Sequence, residues 1–474
     1  MIGEGANLGV TQRGRIEAAQ KGVRLNTDAI DNSAGVNTSD VEVNIKIALA
    51  GPVKDGRLSE DDRNALLASM TDEVGLLVLR NNYLQTLALS LTEAQGVAAT
   101  PGLRYLMQTL ERDGRLDRSV EFLPSDAALA EREKRGEGLT RPELSVLLAY
   151  AKLSLHDALL ESSVPDDPYL ATELVRYFPK ELREAYPDAI AGHRLRREIV
   201  ATQLANALIN RSGPALVPVL SALTHSQVPQ IAAAYAIARD SFELIALNGE
   251  IDALDAKIPG KTQLGLYGAA QQLVFDRMSW LLRRGVAQPG TIEATIARYA
   301  KGVAELAATL EAILPEAAAQ ARLARIAVLT ADGVPEALAT RIASLPTLAA
   351  ATDIVDIAER AQRGTGEVAA IHFGLDAYLG LSALKSAAAA VPASDDYERL
   401  ARERAVETLD DAHAHLTQEI ARQGDGGTLE SWLAARQSDV ERTRSTVNAI
   451  TGSGLTLPKL MVAAGMLADL PRKN

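Results

Sequence analysis

Residues 139–144 read Leu-Thr-Arg-Pro-Glu-Leu, and this stretch carries several signals for the start of an α-helix. Thr140 is a good N-cap, Glu143 three residues later can complete a capping box, and Pro142 suits the first turn. Apolar side chains then recur at helical spacing, at Leu144, Leu147, Leu148, Ala151 and Leu155. The stretch therefore predicts a long helix with one buried face.

Helical spacing continues toward the C-terminus. A second helix is predicted through Leu195, Ile199, Leu204 and Leu208, with Gly213-Pro214 as its stop. Two apolar seams follow, one at Leu244, Leu247, Ile251, Leu254 and Ile258, the other at Ile292, Ile296, Tyr299, Val303, Leu306, Leu310 and Ile313. Pro259-Gly260 and Pro315 end them. We expect two long helices that pack on each other or on a partner chain.

The composition agrees with close-packed helices, since 47% of the 474 residues are hydrophobic and only 4% are aromatic. The absence of cysteine excludes disulfides, thiolate metal sites and cysteine nucleophiles, and it favours a reducing, cytoplasmic location. A net charge of −12 argues against a nucleic-acid surface, because phosphate binding requires clustered Lys and Arg. No nucleic-acid partner is predicted.

The longest uncharged run, residues 212–238, has the length of a bilayer span. Pro214, Pro218, Pro229 and His225 interrupt it, together with several Ser and Gln residues. Such residues are costly in a lipid-exposed helix. We interpret the run as a loop joined to a buried helix, and no membrane partner is predicted.

The first fifty residues differ from the rest in being rich in Gly, Asn, Thr and Asp, with short β-prone pieces such as residues 23–25. Loops at the edge of a parallel sheet have this composition. Val41, Val43, Ile45, Ile47 and Leu49 alternate with polar residues. By pattern alone, that alternation indicates a half-buried strand.

Two polar motifs lie in this region. Residues 4–7 read Glu-Gly-Ala-Asn, and residues 32–42 read Asn-Ser-Ala-Gly-Val-Asn-Thr-Ser-Asp-Val-Glu. Short polar side chains beside Gly35 suit a dinucleotide site at the carboxyl ends of parallel strands. Taken alone, Asn32 or Asn37 would more often be a turn residue than a ligand. Because the two motifs occur together, we favour a ligand role over a turn role.

The paired motifs resemble the closing stretch of a glutamate dehydrogenase nucleotide-binding domain. In that resemblance Glu-Gly-Ala-Asn ends one strand, Thr27-Asp28 precedes the next, and the segment after Ser39 is a helix rather than a strand. The resemblance implies NAD as cofactor, with Asn7 beside the nicotinamide ribose and Asn32 bonded to the nicotinamide carboxamide. It also implies that Ser39 holds the side-chain carboxylate of glutamate.

Departures from the smaller enzymes of this family narrow the resemblance. Leu8-Gly9-Val10 replaces a Pro-Thr piece, Ala34 replaces a glycine, and Asp40 and Val43 replace aromatic residues. In these features the chain is similar to the large bacterial NAD-specific glutamate dehydrogenases. The similarity extends through residues 81–86, 139–150, 194–210 and 249–257.

The resemblance thus implies a mainly α chain, with a truncated piece of an α/β, Rossmann-type nucleotide-binding domain followed by a long helical region. The expected domains are residues 1–50, a remnant of the NAD-binding domain; 51–260, a helical region after the catalytic core; and 261–474, a C-terminal helical domain.

Several groups that the family's chemistry requires are not found. Hydride transfer from glutamate needs a lysine of lowered pKa, a carboxylate for proton transfer and a Gly-rich turn for the pyrophosphate. In the family these lie upstream of Glu-Gly-Ala-Asn, and only three residues precede that motif here. Gly364-Thr365-Gly366 has no strand before it and is interpreted as a helix stop. We therefore assign no catalytic residue and expect the isolated chain to be inactive.

The histidines give no metal site. His413 and His415 would point to different faces of a helix, and Asp411 with His415 is interpreted as a surface pair. The remaining histidines, His156, His193, His225 and His372, are isolated in the sequence.

Two functional hypotheses remain. In the first, the chain is a piece of an enzyme that oxidatively deaminates L-glutamate to 2-oxoglutarate and ammonia and that forms a homo-oligomer. In the second, the chain is a non-catalytic helical module for oligomerisation or regulation. The two apolar seams support the second hypothesis, because they could lie between subunits.

Overall fold

A computed structural model describes residues 1–5, 9–392, 396–424 and 427–470. Its regular structure over these residues consists of α- and 3₁₀-helices, with no β-strand. The expectation of a mainly α chain is therefore confirmed. Residues 23–27 have no regular structure, although the Ile2 amide donates to the Arg24 carbonyl at 2.8 Å. The truncated nucleotide-binding domain stays a prediction.

The helices follow one another with short connections. The first half contains α1 (Gln12–Gln20), α2 (Asp28–Asp31), α3 (Ser33–Lys54), α4 (Glu60–Ser69), α5 (Thr71–Gln95), α6 (Thr100–Arg112), α7 (Asp126–Lys134), α8 (Arg141–Leu160), α9 (Ala171–Tyr177), α10 (Lys180–Ala185), α11 (Pro187–Ala191), α12 (Arg196–Ser212) and α13 (Leu216–Thr224). The second half contains α14 (Val228–Ser241), α15 (Leu244–Asp252), α16 (Gly260–Arg283), α17 (Ile292–Ile313), α18 (Glu316–Ala331), α19 (Glu336–Leu348), α20 (Ala351–Ala361), α21 (Thr365–Leu379), α22 (Leu381–Ala389), α23 (Asp396–Ala421), α24 (Leu429–Ala435), α25 (Gln437–Gly452) and α26 (Leu457–Asp469). Short 3₁₀-helices occupy Gly96–Ala99, Val164–Asp166 and Pro168–Leu170.

The chain divides into two compact units. Unit 1 comprises Met1–Ile251 and Gly260–Ile296, and unit 2 comprises Asp252–Pro259 and Ala297–Asn474.

The core of unit 1 surrounds α14, which packs against α8, α12, α13 and α16. Every residue from Ile231 to Ala238 is at most 2% exposed, and five of these eight are alanine. Side chains this small let helix axes approach closely, which is the packing that the composition predicts. The Tyr235 hydroxyl, buried among them, donates to the Ala207 carbonyl at 2.8 Å.

The predicted helix start at residues 139–144 is confirmed. The Thr140 amide donates to the Glu143 carboxylate at 2.7 Å, and α8 begins at Arg141. Glu143 is fully buried and also accepts two bonds from Arg132, at 2.8 and 2.9 Å. The predicted apolar face of α8 is buried throughout, at Leu144, Leu147, Leu148, Ala151 and Leu155.

The uncharged run at residues 212–238 contains two helices, α13 and most of α14, so its first part is not the loop we expected. His225, with φ of 56°, separates the helices. Across the described ranges, no helix is both long enough and apolar enough to cross a membrane.

The two apolar seams have different outcomes. The second coincides with α17, as predicted. The first does not form one long helix, because α15 ends at Asp252 and leaves Leu254 and Ile258 beyond it. The Ile251 carbonyl accepts from the Gln263 side chain at 3.0 Å, and Ala256 has a left-handed φ of 58°, which helical backbone does not adopt. Most seam side chains are buried within this single chain, at Leu244, Leu247, Ile251, Leu254, Ile292, Tyr299, Val303, Leu306 and Leu310.

Unit 2 is organised around α23, which packs against α20, α21 and α26. Its core side chains include Leu409, Leu416, Leu460 and Leu467, each at most 1% exposed. Residues 364–366 lie at the boundary between α20 and α21, next to Gln362 with φ of 54°. A helix does end shortly before this Gly-x-Gly, at Ala361, but Gly364 is the N-cap of α21 and Thr365 and Gly366 lie in its first turn, so the three residues start a helix rather than stop one.

Candidate functional site

The segment that carries Asn32 and Ser39 is the beginning of α3. Asn32 stands between α2 and α3, where the chain changes direction with φ of −102° and ψ of 8°. The helix then buries Val41, Ile45, Ala48, Leu49 and Pro52 along one face. The pattern at residues 41–49 is therefore helical, as the resemblance implies and against the strand indicated by alternation.

Asn32 and Ser39 lie on the opposite face of α3 from these core residues. Seven residues make almost two full turns, so the two positions share a face about 10 Å apart along the axis. Ser39 is exposed and Asn32 is half-buried. Val36 and Val43 continue the same stripe and are 64% and 53% exposed. We call Asn32, Val36, Ser39 and Val43 the outer stripe of α3.

Helix α5 holds the first two turns of α3 through side-chain amides. The Asn81 amide donates to the Asn37 side-chain oxygen at 2.8 Å, and the Ser33 hydroxyl bonds the Asn82 side-chain oxygen. Both asparagines belong to residues 81–86, one of the stretches in which the chain resembles the large bacterial enzymes. Their polar contacts fix the rotation of α3 and therefore the direction of its outer stripe.

A buried arginine organises the neighbouring loops, and sequence reasoning did not find it. Arg15 is 1% exposed; it donates to the Asn26 carbonyl at 2.8 Å and to the Val10 carbonyl at 3.2 Å. It also forms an ion pair with Glu4, the first residue of the Glu-Gly-Ala-Asn motif. Arg15 directly follows Thr11-Gln12-Arg13-Gly14, and the charged residues two positions away on either side, Arg13 and Glu17, are both exposed, so the local sequence gives no signal that Arg15 is buried.

Asn7 lies outside the described residues. The structure therefore places Asn32 and Ser39 on one face and says nothing of the third predicted ligand. Glu4 and Gly9, on either side of Asn7, are held together because the Gly9 amide donates to the Glu4 carboxylate.

A lysine of lowered pKa is present elsewhere in unit 1. Burial alone lowers the pKa of Lys152 to about 7. A lysine in this range has the acid-base property that the family's chemistry needs. However, Lys152 lies eleven residues beyond Arg141, the end of α8 that contacts the Asn26 loop at 3.0 Å. That separation is about 16 Å along the helix, so Lys152 does not belong to the site at α3.

Two histidines that were expected to be unrelated lie in direct contact in unit 2. The rings of His372 and His413 stack with centroids 3.7 Å apart, and both side chains are buried. His413 is therefore not a surface residue, and His372 is not isolated. His415 and Asp411 are exposed as expected. The described part of the chain contains no group of three or more side chains arranged to hold a metal ion.

Two family models match this chain and define its class as a bacterial dehydrogenase polypeptide. The model described as "Bacterial NAD-glutamate dehydrogenase, catalytic domain" covers residues 1–92, which include α3, most of α5 and the Arg15 loops. The model described as "Glutamate dehydrogenase, C-terminal" covers residues 136–469.

The curated relatives agree. The NAD-specific glutamate dehydrogenase of Halomonas elongata is 40% identical over 481 residues, and that of Pseudomonas aeruginosa is 38% identical over 482 residues. Each alignment covers 100% of this chain and 30% of the relative. The enzyme of the same name from Mycobacterium tuberculosis is 45% identical over 213 residues, 45% of this chain and 13% of the relative. The chain belongs to the glutamate dehydrogenase family, and it spans less than a third of the length of the first two relatives.

Proposed function

We propose that this chain forms one wall of the active site of an NAD-dependent glutamate dehydrogenase. The intact enzyme converts L-glutamate, NAD⁺ and water to 2-oxoglutarate, ammonium, NADH and a proton. The hydride passes from the glutamate Cα to the nicotinamide ring, and water then hydrolyses the resulting imine. The observation that carries the proposal is the outer stripe of α3, which points away from the core within residues 1–92.

The chemistry of the outer stripe suits the two ligands. Asn32 offers an amide that can both donate to and accept from a carboxamide. Val36, between Asn32 and Ser39, offers apolar contact to an aromatic ring. Ser39 offers a hydroxyl that donates to a carboxylate, while Asn7 would lie beside the nicotinamide ribose. In this proposal NAD is the cofactor, and the chain supplies its nicotinamide side.

The isolated chain is expected to be inactive, since it holds no assigned base and no Gly-rich turn for the pyrophosphate. NAD affinity should also be weak, because phosphate contacts supply much of dinucleotide binding. Mixing the isolated chain with L-glutamate and NAD should give no rise in NADH absorbance. Calorimetry should show NAD binding weaker than the low micromolar range, and tighter binding would contradict this part of the proposal.

The role of Ser39 can be tested in the full-length enzyme that contains this chain. Ser39→Ala should raise the KM for glutamate about 10- to 100-fold, since a hydrogen bond to a charged group contributes ~1.5–3 kcal/mol. The KM for NAD should stay within about twofold. Thr38→Ser is the matched control, because the Thr38 hydroxyl already bonds the Ala34 carbonyl of its own helix at 2.8 Å. An unchanged glutamate KM in Ser39→Ala would remove Ser39 from the site.

We further propose that the enzyme is a cytoplasmic homo-oligomer. The seams at residues 244–258 and 292–313 are not expected to form its subunit contacts, because most of their side chains are buried within one chain. Without the seams, the rival hypothesis of a helical oligomerisation module loses the observation that favoured it. Light scattering of the full-length enzyme would test the oligomer, and a monomer at high concentration would contradict it.

A further inference from the structure

We infer that Arg15 is a positioning residue for the nicotinamide end of NAD. This inference rests on the proposed function and adds to it a residue that touches neither cofactor nor substrate. Arg15 joins three chain segments: the Glu4 end of the first motif, the loop at Val10, and the loop at Asn26 that leads to Asn32. These bonds hold the start of the first motif beside the loop that leads to the second motif.

All three nitrogens of the Arg15 guanidinium donate hydrogen bonds. Nε donates to the Val10 carbonyl, one terminal nitrogen to the Asn26 carbonyl, and the other to Glu4. The charge is balanced by two carboxylates that are themselves about 90% buried, Glu4 in contact and Asp31 at 3.9 Å. A buried cation with this many fixed acceptors holds them in one arrangement, because losing any of them leaves a charged group unsatisfied.

Asp31 connects the segments that Arg15 joins to Asn32. One carboxylate oxygen of Asp31 accepts from the Glu4 amide at 3.1 Å, and the other accepts from the Asn26 side chain at 3.0 Å. Asp31 directly precedes Asn32 in the chain. The backbone at Asn32 is thus tied to the start of the Glu-Gly-Ala-Asn motif through a single residue.

The loops that Arg15 joins are also bonded, through Arg141, to helices α5 and α8 of unit 1. Arg141, at the start of α8, donates to the Asn26 side-chain oxygen at 3.0 Å. The same guanidinium bonds Ser90 at 3.0 Å and Glu93 at 2.9 Å, both on α5. The loops around Arg15 therefore have a fixed position relative to α5 and α8, which a positioning role requires.

Ser39 depends on different contacts. The second turn of α3 is held by the Asn81 bond to Asn37, which does not involve Arg15. Loosening Arg15 should therefore displace the contacts to NAD and leave the glutamate contact in place. A misplacement of about 1 Å in such a site can cost ~100-fold in rate.

The test compares Arg15→Lys with Arg13→Lys in the full-length enzyme. Lysine keeps the positive charge but cannot reach all the acceptors of the guanidinium, and Arg13 is an exposed neighbour. Arg15→Lys should raise the KM for NAD about tenfold or more, with the glutamate KM within about twofold. ADP-ribose, which lacks nicotinamide, should bind the variant as it binds the wild type. A general loss of structure would instead raise both KM values and weaken ADP-ribose binding as well.

Asp31→Asn, which is nearly isosteric, is a second variant in case Arg15→Lys does not fold. It should give the same selective loss of NAD affinity. Equal changes in both KM values, equal loss of ADP-ribose and NAD binding, or no change in either variant would overturn the inference. A wild-type enzyme without NAD-linked glutamate oxidation would instead overturn the proposed function, and the inference with it.

Discussion

Lys152 is a single cation on the apolar face of α8. Leu148 and Leu155, one turn to either side, are 1% and 3% exposed. Burial lowers the pKa of the Lys152 amine from 10.5 to about 7, without a contribution from any carboxylate. The folded chain therefore either holds a desolvated charge or releases a proton that the unfolded chain keeps. Both cost stability at neutral pH.

Lys152→Met should stabilise unit 1 at pH 7 by on the order of 2 kcal/mol, since methionine fills similar space without the charge. In the wild type, the unfolded state binds more protons between pH 7 and 10.5, so the free energy of unfolding rises with pH across that window. The substitution should abolish this rise. Urea denaturation at pH 7 and pH 9 measures both effects.

Lys21→Met is the control, because the Lys21 side chain is 71% exposed and pairs with Glu17 at the surface. Its effect should stay within about 0.5 kcal/mol. If Lys152→Met left the pH dependence unchanged, the amine would have to be solvated in the folded chain.

The half-buried Lys152 and the fully buried Arg15 show what residue identity alone does not reveal. The spacing of Lys152 from Leu148 and Leu155 places it on the buried face, yet a lysine at such a position commonly extends its amine to solvent. Arg15 is buried because Glu4, Val10 and Asn26 surround it, and these come from three separate segments. A contact that requires folded loops cannot be read from local sequence.

At the scale of elements, α17 and α20 approach closely within unit 2. A Cβ atom built on Gly302 would overlap Cγ2 of Val355. Arg298, one turn before Gly302, bonds Asp356 at 2.6 Å, which holds the two helices at this separation. Gly302 thus allows α17 and α20 to pack this closely, and it does not form a turn.

Gly302→Ala should destabilise unit 2 by about 1–2 kcal/mol, because the overpacking cost of ~1–3 kcal/mol exceeds the ~1 kcal/mol gain in helix propensity. The variant that carries both Gly302→Ala and Val355→Ala should lose less free energy of unfolding than the two single variants lose in sum. A double-mutant cycle in urea measures this coupling.

Gly465→Ala in α26 is the matched control, since no atom lies within 4 Å of its added Cβ. That change should stabilise the same unit by about 0.5–1 kcal/mol. Independent, additive effects of Gly302→Ala and Val355→Ala would show that the two helices do not touch at this point.

Helix boundaries with a local signal could be predicted, such as the end of α12 at Ser212 before Gly213-Pro214, whereas a boundary set by distant residues could not. The capping box of Thr140 and Glu143 is local, so the start of α8 follows from six residues. The end of α15 depends on Gln263, twelve residues beyond the Ile251 carbonyl that it caps. Alternation at residues 41–49 gave a false strand signal, because Val43 is apolar but 53% exposed.

For the candidate site, the ligand roles of Asn32 and Ser39 stay predictions, and the sequence does not show which residues hold them in place. The outer stripe follows from the seven-residue spacing of Asn32 and Ser39 once the segment is known to be helical. The contacts of Arg15, Asn81 and Asn82 depend on the tertiary arrangement of α1, α3 and α5.

At the scale of the whole molecule, both units bury histidines that are held neutral. In unit 1, burial lowers the pKa of His193, whose ring also contacts the Asn44 carbonyl at 3.0 Å. In unit 2, burial lowers the pKa of His372 well below 6.5 and that of His413 to about 4. Lys385 contributes to this lowering of the His413 pKa, while Asp376 and Asp410 act in the opposite direction.

Acid should therefore destabilise both units through separate groups. Each histidine binds a proton more readily in the unfolded chain, so its contribution to stability is complete above about pH 6.5 and is lost as the pH falls toward its lowered pKa in the folded chain. Two stacked imidazolium rings at 3.7 Å would in addition repel each other. We expect unit 2 to lose on the order of 1–3 kcal/mol between pH 7 and pH 5 from this pair.

His372→Phe should flatten the pH dependence of unit 2 and leave that of unit 1 unchanged. Phenylalanine keeps an aromatic ring against His413, and the backbone carbonyl of residue 372 still accepts from His413 Nε2 at 2.9 Å. Hydrogen exchange read by mass spectrometry on peptides from α21 and α23, and separately from α14, distinguishes the two units. The exposed His415→Gln is the control and should change neither slope. A flattened slope in both units, or in neither, would show that the stacked pair is not what makes unit 2 sensitive to acid.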